Sequence, residues 1–127
     1  MTTKDSFLGD VAGVLIWTEA ERFDAMLHFY RDILELPLRG EHSGFVNFSW
    51  NDFKLTINVH PGVRGVSSDP LRIMVNFSVS DIQDCHTRLT GKGVVFLREP
   101  EKETWGGWVA TFNDPDGNIL QLLQLSN

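Results

Sequence analysis

The chain has 127 residues, 42% of them hydrophobic, with nine Phe and four Trp, which suits one folded domain with its own core. A formal net charge of −6 without a basic cluster argues against a nucleic-acid partner and favours a cationic over an anionic small ligand. No apolar run reaches the roughly 18 residues of a membrane span, no basic-then-apolar leader opens the sequence, and the single cysteine, Cys85, excludes an intramolecular disulfide, so a cytoplasmic protein with no membrane partner is expected.

The first predicted element is VAGVLIW, Val11 to Trp17, an apolar run of strand length. Thr18 and Glu21 then have the spacing of a capping box. EAERFDAMLHFYRDILEL repeats Phe23, Met26 or Leu27, Tyr30, and Ile33 or Leu34 at helical spacing, with Glu21, Arg22, Asp24, Arg31 and Asp32 on the polar side. Pro37 ends the helix. GFVNFSW and FKLTINVH read as strands joined at Asn51-Asp52, a β-hairpin. In the second of them Leu55, Ile57 and Val59 share one face; Lys54, Thr56, Asn58 and His60 share the other. The connector PGVRGVSSDP carries a weak signal for a fourth strand around Gly62 to Val66.

The pattern then restarts. LRIMVNFSV predicts a strand with Leu71, Ile73, Val75, Phe77 and Val79 on one face and Arg72, Met74 and Asn76 on the other. Ser80 with Gln83 is placed to cap a short helix, whose inner side holds Ile82, Cys85 or His86, and Leu89, and which Gly91 and Gly93 end. VVFL, WVATFN and NILQLLQL follow as strands, the last two joined by Asp114-Pro115-Asp116-Gly117. The two halves start about 60 residues apart and share a β-α-β pattern, which suggests a structural repeat. Each helix covers the apolar face of its sheet, leaving the other face free to line a groove.

At FYRDILEL and FNDPDGNILQLLQL, and at VNFSVSDI, this sequence resembles the vicinal oxygen chelate superfamily, which includes glyoxalase I, extradiol dioxygenases and bleomycin resistance proteins. The likeness spans roughly Val11 to Leu125. It implies an α+β fold of paired βαβββ modules, with curved mixed sheets around a groove and frequent assembly as homodimers. Residues 1–127 then form a single glyoxalase-like domain made of module 11–66 and module 71–125. Metal-dependent members hold a divalent ion with His, Gln or Glu side chains on the inner strands. Here the corresponding positions fall near Gly13, at Thr56 or Asn58, at Met74, and at Gln121. A glycine, a thioether and neutral oxygen donors make a poor site for a hard ion, so neither a metal nor another cofactor is expected.

The other candidates follow from residue chemistry. His28, His42 and His86 are dispersed over different elements and form no metal motif. His60 shares a face with Asn58 and Thr56, as a ligand contact or general base. Cys85 reads as a buried structural thiol. Val46, Phe48 and Trp50 alternate on one strand face, and Trp105 and Trp108 bracket Gly106-Gly107, which suits either core packing or an aromatic ligand wall. Arg72 and Asn76 flank Met74; Arg72 can hold an anionic group or pair with an acid. Gln121 either orients a ligand or makes a structural hydrogen bond. The candidate ligand-binding set is therefore Trp50, Asn58, His60, Arg72, Met74, Asn76, Trp105, Trp108 and Gln121. The leading expectation is metal-independent binding of a small organic molecule, aromatic or cationic, by a homodimer. The alternatives are a metal-dependent or His60-assisted lyase, isomerase or dioxygenase, and a non-catalytic structural or regulatory module; the sequence leaves open whether the protein is an enzyme.

Overall fold

In the computed structural model, which describes residues 6–125, the chain forms two successive βαβββ modules. The first contains β1 (Gly13–Thr18), α1 (Phe23–Leu27), β2 (Leu38–His42), β3 (Phe45–Trp50) and β4 (Phe53–Val59). The second contains β5 (Val75–Ser78), α2 (Ile82–Gly91), β6 (Phe96–Lys102), β7 (Trp108–Asn113) and β8 (Ile119–Gln124). Their sheets have the equivalent orders β1-β4-β3-β2 and β5-β8-β7-β6. In each, the first strand runs parallel to the last and the remaining pairs are antiparallel. The repeat suggested by the spacing of the halves is thus a repeat of topology.

The fourth strand of the first module is β2, not the stretch Gly62 to Val66. β2 has the sequence LRGEH and is largely exposed at the sheet edge, so it lacks the apolar alternation that marks its neighbours. Residues 62–66 are instead turns, held by Val63 N–H donating to the His60 carbonyl and Gly65 N–H donating to Glu19 Oε1. The strand expected over LRIMVNFSV is shorter, only Val75–Ser78, and Leu71 and Ile73 lie outside it with 75% and 77% of their surface exposed. The expected caps also differ. Thr18 directs its hydroxyl to Asp116 and caps nothing, and Asp81 rather than Ser80 caps α2, accepting from Asp84 N–H.

The predicted first helix is three helical types in series: a 3-10 turn Ala20–Arg22, α1, and a π-helical segment His28–Ile33. Phe23, Met26, Phe29 and Tyr30 are buried, which accounts for the apolar stripe read at helical spacing. The carbonyls of Asp32 and Ile33 that the segment leaves open accept from Lys92 Nζ, just beyond α2. One hydrophobic core crosses both modules, joining Phe48, Leu55 and Ile57 to Ile82, Phe112 and Leu120. Aromatic contacts bridge the halves, with ring centroids 6.2 Å apart for both Phe29–Phe112 and Trp50–Phe77.

The turn Asp114-Pro115-Asp116-Gly117 fastens the modules together. Gly117 has φ +83°, which favours glycine, and its N–H closes the turn on the Asp114 carbonyl. Buried Asp114 accepts from the N–H groups of Asp116 and Asn118, the Asn118 amide, and the Tyr30 hydroxyl at 2.7 Å. Burial raises the Asp114 carboxyl above its ordinary range although those bonds pull it down, and burial with the neighbouring Asp114 charge pushes the Tyr30 phenol well up. Asp116 accepts from Thr18 and from Arg22, each at 2.6 Å. Among the described residues, no helix is long and apolar enough to cross a membrane.

Candidate functional site

Strand alternation assigns every side chain to the helix-covered or the open face of its sheet. In the first sheet Val46, Phe48, Leu55 and Ile57 are buried beneath α1, so Asn47, Lys54, Thr56 and Asn58 take the open face. β1 adds Leu15 opposite Thr56 and Trp17 opposite Asn58. In the second sheet Leu120 and Leu122 are buried, which puts Gln121 on the open face with Asn76 as its β5 neighbour. The Gln121 amide nitrogen donates to Asn76 Oδ1 at 3.0 Å. In the first module Asn47 of β3 donates to Thr56 Oγ1 of β4 at 2.7 Å.

The register places further residues beside the sequence-derived positions. The first-strand residue level with Thr56 is Leu15, two residues after Gly13, and the β5 residue level with Gln121 is Asn76, two residues after Met74. Gly13 has a separate role: a Cβ there would overlap the Lys54 carbonyl, so the close approach of β1 to β4 demands glycine.

A cavity of about 450 Å³ lies where the end of the β3–β4 hairpin meets β5 and the residues before it. Trp50, Phe53, Ile73, Met74, Asn76 and Phe77 form much of its lining. Three residues of the predicted set, Trp50, Met74 and Asn76, therefore converge, and Gln121 is one hydrogen bond away through Asn76. No lining side chain is ionisable. Trp50 reaches the cavity from the core side, where its ring lies 6.5 Å from that of Phe53.

The other predicted residues stand apart. Asn58 accepts locally from Val59 N–H. His60 follows β4; its Nδ1 accepts from Gly62 N–H at 2.9 Å and its ring meets Trp17 edge-on at 4.8 Å. Arg72 is exposed and pairs with Asp69 at 3.0 Å, the acid-pairing alternative. Trp108 turns to the helix-covered face and packs on the core, whereas Trp105 lies over Gly107 with 54% of its surface exposed; neither lines the cavity. Sequence reading overlooked Phe53 and Trp17. Phe53 opens β4 opposite Trp50, and its place beside an aromatic at the hairpin end was the available signal. Trp17 was hidden inside an apolar run that gave no face assignment.

Residues 20–122 match the model of the Glyoxalase/Bleomycin resistance protein/Dioxygenase superfamily. The chain belongs to that superfamily. A bleomycin resistance protein of Klebsiella pneumoniae is 27% identical over 111 residues, covering 80% of this chain and 83% of the relative. Among solved structures, a glyoxalase/bleomycin resistance protein/dioxygenase from Nocardioides superposes with TM-score 0.79 at 18% identity, covering 97% of this chain and 87% of the other. A lactoylglutathione lyase from Agrobacterium tumefaciens gives 0.72 at 16% identity, with 94% and 96% covered. These superpositions speak for the superfamily fold, not for a reaction.

Within that fold the four level positions are Leu15, Thr56, Asn76 and Gln121. They offer one alkyl group, one hydroxyl and two amides, and the hydroxyl and both amides already bond within the protein. A divalent ion would find neither a carboxylate nor an imidazole there, so this donor set does not fit the superfamily's metal. Among the described residues, no three His, Cys, Asp or Glu side chains cluster as an alternative.

Proposed function

We propose that this superfamily member binds a small aromatic or cationic organic molecule without a metal, in the cavity between Trp50 and Met74, and works as a homodimer. The observation that supports this reading best is the cavity's chemistry: aromatic rings and a thioether surround neutral hydrogen-bonding groups, with no ionisable side chain. An indole or phenyl face attracts a cation through its quadrupole, and a thioether adapts to irregular apolar shapes. Asn76 supplies the orienting polar contact, and its bond to Gln121 fixes which way the amide points. The volume lies within the range that small-molecule sites occupy. The 27% identity to a bleomycin resistance protein agrees with the same reading.

Calorimetric titration with cationic glycopeptides and aromatic cations tests it. Saturable binding of one guest per chain is expected, weakened about tenfold or more by Trp50→Ala and by Asn76→Leu. Asn76 is exposed, so its variant separates lost contact from lost folding. Absence of binding across the panel, with the dimer intact by sedimentation, contradicts the proposal.

A further inference from the structure

A second cavity, of about 380 Å³, lies on the helix side between the two modules. Its walls are apolar, from Leu34, Phe77, Phe112 and Leu122, and the Trp50–Phe77 ring pair borders both this cavity and the one described above. Its charged groups are Glu35, Arg88 and Lys92. They are not equivalent. Lys92 spends its three donors on the Asp32 and Ile33 carbonyls and on Glu35. That bond to Lys92 is the main reason the Glu35 carboxyl sits below its ordinary range. Arg88 approaches Glu35 only to 3.8 Å and makes no hydrogen bond among the described residues, so its guanidinium fork is open to an incoming carboxylate.

We infer that this inter-module cavity is a second ligand site, specific for an amphipathic organic anion such as a medium-chain carboxylate. The chain's net negative charge does not oppose this, because exposed charges beyond about 10 Å are screened at 0.1 M salt and the charged groups of the lining are two cations, Arg88 and Lys92, against one anion, Glu35. The apolar body of the anion lies against Phe77, Phe112 and Leu122, and the carboxylate accepts from Arg88 at the rim. The two sites thus take guests of opposite charge on either side of one aromatic partition.

Cys85 lines this cavity and is the chain's only cysteine, so its alkylation reports occupancy directly. Iodoacetamide modification would be followed by mass spectrometry with decanoate, decanol or decylamine below micelle-forming concentrations. Decanoate is expected to slow alkylation saturably. The concentration needed should rise about tenfold in Arg88→Met, the loss of one charge-assisted contact, while Arg88→Lys keeps part of the effect. Arg88 is exposed, so neither variant threatens the core. Leu89→Trp, which adds bulk to the cavity lining, should abolish protection by decanoate at any concentration. Alkylation indifferent to decanoate, protection equal from decylamine, or half-protection of Arg88→Met at the same decanoate concentration as the unsubstituted protein would each overturn the assignment.

Discussion

Asp114 shows how much a turn motif can hide. Asp-Pro-Asp-Gly reads as a turn from local chemistry alone, because Pro and Gly restrict the backbone whatever surrounds them. Nothing local announces that Asp114 is only 4% exposed or that Tyr30, 84 positions away, donates to it. Removing that donor leaves a buried carboxylate one bond short. Tyr30→Phe should therefore lower unfolding stability by about 1–3 kcal/mol in urea denaturation, with the fold retained. An unchanged midpoint would show that the inter-module clasp does not depend on this hydroxyl. Gln121 carries a similar lesson. Its amide was readable as either a ligand group or a structural partner, and it donates to Asn76, which lines the cavity.

Elements were legible where a pattern repeats and illegible where composition contradicts placement. β4 and β8 alternate cleanly or break an apolar run with one polar residue, so their faces follow from spacing. β2 is polar at a sheet edge and carries no such signal. The switch from α to π geometry at His28 is equally silent, because both helical forms bury Met26 and Tyr30 on one side. At the end of that segment Arg31 binds Asp32 at 2.8 Å and also reaches Glu41 on β2, tying helix to edge strand. The Arg31 bonds draw the Asp32 carboxyl from its ordinary 3.8 to about 2, with a smaller contribution from His28. A depressed carboxyl stabilises the fold fully above its unfolded value and loses that contribution as pH falls through the folded one, here between about 4 and 2. Carbon-detected NMR titration should place the Asp32 midpoint near 2 and show it rising towards 3.8 in Arg31→Met. A midpoint that stays put in the variant would contradict the ion-pair origin.

For the whole molecule, the paired modules could be read from the sequence because each repeats β-α-β spacing, and because FYRD and DPDGN stand where the resemblance requires them. The cavity could not. It is built from the end of one module's hairpin and the start of the other module's first strand, and relative placement of modules leaves no periodic trace. The same blindness explains Trp105 and Trp108: adjacency in sequence suggested one aromatic wall, yet alternation along β7 turns Trp108 to the core and leaves Trp105 in the turn. What the fold does convey is an inner face with neither a carboxylate nor an imidazole at the four level positions Leu15, Thr56, Asn76 and Gln121, beside a neutral aromatic cavity. The most direct measurement is calorimetric titration of a cationic aromatic guest before and after exhaustive chelation, with metal content assayed in the same samples. One guest per chain, bound with the same affinity in both samples, is expected. Binding that disappears on chelation and returns with one equivalent of a divalent metal would contradict it.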